Sequence, residues 1–108
     1  MEELTLMEWC SEQGFKEEDI EFITDFMTFM SMSKYGKRVS YEKVIKKLDG
    51  EFPQYKLDAT KDYLNFSQFN ELIKNNINEN IDTSELLHRF CNQNLCEPLA
   101  TYILLTSN

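Results

Sequence analysis

Turn-forming residues are scarce in this chain, which has three glycines and two prolines among its 108 residues. All-β sandwiches and barrels need many tight turns, so this scarcity argues against an all-β fold. No apolar run approaches the ~20 residues that cross a bilayer. Basic residues are also missing from the start, MEELTLMEW, where a secretory signal would carry them, so we expect no signal peptide.

Cysteine and histidine are rare as well, with three cysteines and one histidine. An odd number of cysteines in a chain of this length favours free thiols, so we expect a cytoplasmic protein, in the host cytoplasm if it is viral. His88, Cys91 and Cys96 lack the paired spacing of a structural zinc site. A nucleophilic cysteine–histidine pair would need a third group to orient His88, and the sequence offers none. We therefore expect neither a metal nor a cofactor.

The segment from Asp58 to Phe69 resembles the start of an EF-hand calcium loop, because oxygen side chains alternate at Asp58, Thr60 and Asp62. Tyr63 then stands at the sixth position, where that loop needs a glycine. We expect an ordinary loop. No carboxylate pair lies in an apolar setting and the three glycines are isolated, so we expect a protein that is not an enzyme.

What is present is helical periodicity. Apolar residues three and four apart predict an all-α (mainly α) fold, a single helical domain over 1–108 with about five or six short helices. The longest helix is predicted over 17–33, and its narrow polar stripe is typical of a central helix. Shorter helices are predicted over 2–13, 41–48, 68–79 and 83–93.

Local signals give the ends of these helices. Gly14 is expected to stop the first helix, and Ser40, Ser67 and Asp82 are expected to cap later ones. Two segments are ambiguous. Residues 63–66 are a candidate for one minor β-ribbon. The 97–106 tail fits either a strand or a helix, and Pro98 in a first turn favours the helix.

Aromatic and methionine residues are abundant, with eight Phe, five Tyr, one Trp and five Met. Within the long helix, Ile20, Phe22, Ile23 and Phe26 are expected in the core. The rest of that helix offers more apolar surface than one neighbour would cover, and methionine is common on surfaces that accept partners. The predicted apolar partner-binding face consists of Met27, Phe29, Met30 and Met32.

Charge is distributed unevenly. The first 25 residues hold nine acids and one base, which accounts for the whole net charge of −8. The predicted acidic partner-binding face, at the start of the long helix, consists of Glu17, Glu18, Glu21 and Asp25. A basic patch is predicted from Lys34, Lys37, Arg38, Lys43, Lys46 and Lys47.

These features favour a non-enzymatic protein–protein interaction module, because an acidic face steers a protein towards a basic partner. A first alternative is a small phage or mobile-element inhibitor, comparable to anti-CRISPR proteins, that blocks a basic nucleic-acid-binding surface of a host protein. Its small size and acidity favour this alternative, as does a composition typical of an AT-rich genome, with two alanines against nine asparagines. A second alternative is a nucleic-acid-binding helical regulator using 34–47, although a net negative charge opposes direct binding. Self-association as a homodimer is a further expectation.

Overall fold

The computed structural model describes residues 5–36 and 39–107. Six α-helices lie within them, together with a π-helical turn over Met32–Gly36 and a 3₁₀ turn over Pro53–Tyr55. The helices are α1 (Leu6–Glu12), α2 (Glu17–Ser31), α3 (Tyr41–Glu51), α4 (Phe66–Asn76), α5 (Thr83–Asn92) and α6 (Glu97–Leu105).

The predicted all-α fold is confirmed, and the described ranges contain no β-strand. The expected ribbon over 63–66 is wrong, because Tyr63 and Leu64 form a turn and Phe66 begins α4. The ambiguous tail is helical. Pro98 lies in the first turn of α6, where its missing N–H costs no hydrogen bond.

Side-chain caps begin several helices. Ser40 Oγ accepts the N–H of Lys43 at 3.2 Å, and Asp82 Oδ1 accepts that of Glu85 at 3.1 Å, as predicted. The predicted cap at Ser67 is wrong. Asn65 takes that role two residues earlier, because its side-chain oxygen already accepts the Ser67 N–H at 3.0 Å.

The central position of α2 is confirmed. It contacts α1, α3, α6 and the π-helical turn, and Phe22 and Phe26 are fully buried. Phe22 stacks on Tyr55 at 3.9 Å between ring centroids and meets the edge of Phe52 at 5.5 Å. These aromatic contacts anchor the irregular segment that follows α3 to the middle of α2.

The other helices close around this centre, with α1 packed on α5, α5 on α6, and α4 on α6. The radius of gyration is 13.1 Å, matching the ~13 Å of a compact domain of 100 residues. Helix α1 buries Leu6, Trp9 and Cys10, while Met7 points outward. Among the described helices, none has the length and apolar character that crossing a membrane requires.

Candidate functional site

The predicted acidic face lies at the start of α2. Glu17, Glu18 and Glu21 are exposed there and line a shallow open depression together with Lys16. Asp25, one turn further along α2, is only half-buried and is not part of this depression. Carboxylates in the first turn suit the positive end of the helix dipole. The structure therefore brings together three of the four acidic residues that the sequence singled out.

Asp19, which the sequence did not single out, is buried beneath this face. Its Oδ2 accepts the N–H of Lys16 at 2.9 Å, and its Oδ1 accepts the hydroxyl hydrogen of Tyr55. Burial and the charge of Asp19 raise the pKa of Tyr55 above its usual range. The start of α2 is thus tied to the 3₁₀ turn, which holds the exposed glutamates in place.

The predicted apolar face is wrong at two of its four positions. Met27 and Met30 are 0% exposed, and the helix that carries them packs against α1, α3 and α6. Phe29 is half-buried, with the ammonium of Lys47 5.1 Å from its ring centroid. Only Met32, in the π-helical turn, is exposed. Met27 and Met30 therefore belong to the core.

The described residues of the predicted basic patch lie on two elements, the π-helical turn and α3. The ammonium of Lys34 lies 3.8 Å from the Tyr102 ring centroid, against α6. On α3, Lys43 is exposed. Lys46 pairs with Glu42 at 3.4 Å, and Lys47 pairs with Glu51 at 2.9 Å. Lys37 and Arg38 lie outside the described residues.

An apolar cavity of about 340 Å³ lies between α1, α2, α5 and the turn that follows α5. Its rim carries two large apolar side chains, Met7 at 59% and Leu95 at 46% exposed. Its lining includes Leu6, Met7, Thr24, Thr28, Phe90, Leu95 and Cys96. A volume of this size is at the lower end of the ~300–1,000 Å³ of ligand pockets.

Local backbone geometry builds the rim of this cavity. Asn94 and Cys96 both adopt left-handed conformations, with φ of 56° and 52°, so the chain reverses sharply after α5. The N–H of Leu95 bonds the carbonyl of Phe90 at 2.9 Å, which closes the turn. On the opposite side, Thr5 caps α1 through the N–H of Glu8 at 3.1 Å. Leu95 and the start of α1 thus both line the cavity.

The three cysteine thiols lie in different environments. Burial raises the pKa of Cys10 to about 12 and also raises that of Cys96, which shares a hydrogen bond with Thr28. Cys91 lies 3.5 Å from the Thr101 hydroxyl. Within the described ranges, no three His, Cys, Asp or Glu side chains are grouped to hold a metal.

The EF-hand-like oxygens bond their own loop. Asp58 Oδ1 accepts the N–H and the hydroxyl of Thr60 at 2.9 and 2.7 Å, and Asp62 Oδ1 accepts the N–H of Leu64 at 3.0 Å. These are turn-stabilising contacts of the kind that Asp makes with the backbone two residues on. The two hydrogen bonds from Thr60 lower the pKa of Asp58.

The cavity was missed from sequence because its walls come from distant segments. One local signal was available: Thr24 and Thr28 continue the exposed stripe of Glu17 and Glu21, with small side chains where a large apolar one would fill the space. Nothing in the sequence shows that the α5 turn lies opposite them. Comparison with protein-family models, with curated proteins and with solved structures gave no match, so the function is argued from these residues.

Proposed function

We propose that this is a non-enzymatic interaction protein that binds a protein partner by taking apolar side chains of that partner into the cavity between α1, α2 and α5. The cavity and its rim carry the proposal. Met7 and Leu95 leave large apolar side chains in water beside an apolar hollow, an arrangement typical of partner-binding sites. Methionine at a rim adapts its shape to what it contacts.

The exposed carboxylates at the start of α2 complete the proposed surface. Glu17, Glu18 and Glu21 lie on the helix that forms one wall of the cavity. An acidic surface beside an apolar one favours a partner with both basic and apolar residues. The proposal includes a cytoplasmic location, which the three free thiols support.

A second candidate is an inhibitor that occupies the basic nucleic-acid-binding surface of a host protein. The grouping of Glu17, Glu18 and Glu21 supports it, because closely spaced carboxylates imitate the charge of phosphates. Direct nucleic-acid binding has weaker support, since Lys46 and Lys47 are already paired with glutamates.

The test is a comparison of matched leucine variants in an affinity pull-down from host lysate with mass spectrometry. Leu95→Asp places a charge on the cavity rim, whereas Leu105→Asp places one at the end of α6, where Leu105 is 72% exposed. The partner should be retained by the wild type and by Leu105→Asp and lost by Leu95→Asp. Circular dichroism checks that both variants fold. If both variants retain the same proteins as the wild type, the cavity is not the binding site.

A further inference from the structure

The cavity and the acidic depression lie in one row along α2. Glu17, Glu21, Thr24 and Thr28 are spaced four, three and four residues apart, so they share a face of the helix. The two glutamates line the depression and the two threonines line the cavity. At 1.5 Å per residue, the point midway between Thr24 and Thr28 lies ~8 Å from Glu21 and ~14 Å from Glu17 along the helix axis.

The size of the cavity indicates what enters it. An engineered apolar cavity of about 150 Å³ holds a benzene ring. About 340 Å³ therefore accommodates roughly two side chains of leucine or phenylalanine size. On a helix, residues three or four apart lie on one face and meet the same hollow.

Charge complementarity identifies what flanks those anchors. Consider a helix lying along the row with two anchors one turn apart in the cavity. Residues one and two turns beyond the nearer anchor lie ~5 and ~11 Å from that anchor, and therefore ~8 and ~14 Å from the midpoint between the anchors. These positions are near Glu21 and Glu17. Lysine or arginine there would meet a carboxylate. Lys16 also lines the depression, so a positive charge placed beside it would meet a like charge.

We infer that the occupant is a cationic amphipathic α-helix of a protein partner. Its apolar face enters the cavity, and its lysine or arginine residues lie one and two turns away on the same face. This inference rests on the proposed function. Since the described ranges contain no strand, they offer no sheet edge to an extended peptide, and the helix-in-groove mode fits the site.

Two synthetic helical peptides of equal composition test the inference by fluorescence anisotropy. The first carries two leucines one turn apart, with lysines one and two turns further along the same face. The second has its lysines on the opposite face. The wild-type protein should bind the first peptide several-fold more tightly, and added salt should weaken that binding. Absence of saturable binding of the first peptide, or equal binding of the two, overturns the inference.

Protein variants locate the contacts. Glu17→Gln combined with Glu21→Gln should weaken binding of the first peptide about two- to thirtyfold, because exposed ion pairs contribute modestly. Glu71→Gln combined with Glu79→Gln removes the same charge from exposed positions on and after α4 and should change binding less than twofold. Equal weakening by both pairs would show only general attraction and overturn the inference.

The Leu95→Asp variant separates this inference from the proposed function. If Leu95→Asp leaves binding of the first peptide unchanged, the cavity is not the site and both fail. If Leu95→Asp abolishes binding of the first peptide but the Glu17/Glu21 variant does not weaken that binding, the cavity remains the binding site and the inference of a cationic helix is wrong. Light scattering adds one more outcome: a dimer dissociated by Leu95→Asp would place a second copy in the cavity and also overturn the inference.

Discussion

At the scale of single residues, the Asp19–Tyr55 pair explains how a buried acid can lie beneath the exposed acidic surface. A buried carboxylate is costly unless its oxygens are hydrogen-bonded. Here one oxygen accepts the Lys16 N–H at 2.9 Å and the other accepts the Tyr55 hydroxyl hydrogen. Tyr55 also stacks on Phe22, so the same side chain joins the polar pair to the aromatic core. The position of the first turn of α2 depends on this contact.

Tyr55→Phe should therefore lower the free energy of unfolding by about 1–3 kcal/mol, because it leaves a buried carboxylate oxygen without its donor. Urea titration followed by circular dichroism measures the change. Tyr35→Phe is the matched control, since Tyr35 is exposed and its hydroxyl donates to the Pro98 carbonyl at 3.1 Å. Its effect should stay within about 0.5 kcal/mol. Equal losses in the two variants would contradict a special role for the buried pair.

At the scale of elements, the helices were predictable where their signals are local. Ser40 and Asp82 lie directly before the periodic segments that they cap, and both predictions are confirmed. Ser67 failed as a cap because Asn65, two residues earlier, caps α4 instead. A distant residue also takes part at the start of α4. The Phe66 N–H donates to the Thr106 hydroxyl at 2.7 Å, across 40 residues of chain. Such contacts leave no trace in a local pattern.

Helix α2 shows the same limit. Its apolar run was recognisable, but the number of helices that cover it was not, and Met27 and Met30 were assigned to an exposed face. In the structure both are buried, and α2 packs against α1, α3 and α6. The surface methionine beside the cavity is instead Met7, on a helix whose exposed side depends on how it packs against α5.

Two methionines close in sequence provide a measurement of this difference. Met30→Ala removes a fully buried side chain from α2 and should lower the free energy of unfolding by about 2–5 kcal/mol, because it leaves a cavity in the core. Met32→Ala, at an exposed position in the π-helical turn, should change it by less than about 0.5 kcal/mol. Chemical denaturation of the two variants side by side makes the comparison, and a loss for Met30→Ala as small as that expected for Met32→Ala would contradict the burial of Met30.

At the scale of the whole molecule, the candidate site required the complete fold. The acidic half of the site was predictable, since Glu17, Glu18 and Glu21 lie within five residues of one another and mark the start of a helix. The apolar half was not, because Leu6 and Leu95 line one cavity only when α1 packs on α5. The fold also buries ionisable groups in separate helices. Their titration makes the free energy of unfolding of the whole molecule depend on pH.

Alkaline pH should weaken the fold, and Cys10 is the clearest contributor. Burial raises its pKa from 9.0 to about 12, so between these values the unfolded chain has lost a proton that the folded chain retains. The free energy of unfolding must then fall as pH rises, by up to about 1.4 kcal/mol per pH unit for one such group. Tyr41, with a pKa raised to about 12 by burial, acts in the same direction.

Urea titrations under reducing conditions between about pH 8 and pH 11 measure this slope. Cys10→Ala also removes packing, so the informative quantity is its pH dependence rather than its stability at one pH. The wild type should lose stability more steeply than Cys10→Ala above pH 9, and the two curves should become nearly parallel towards pH 8, where the thiol is mostly protonated in both states. Curves that stay parallel over the whole range would show that the Cys10 thiol ionises as readily in the folded protein as in the unfolded chain.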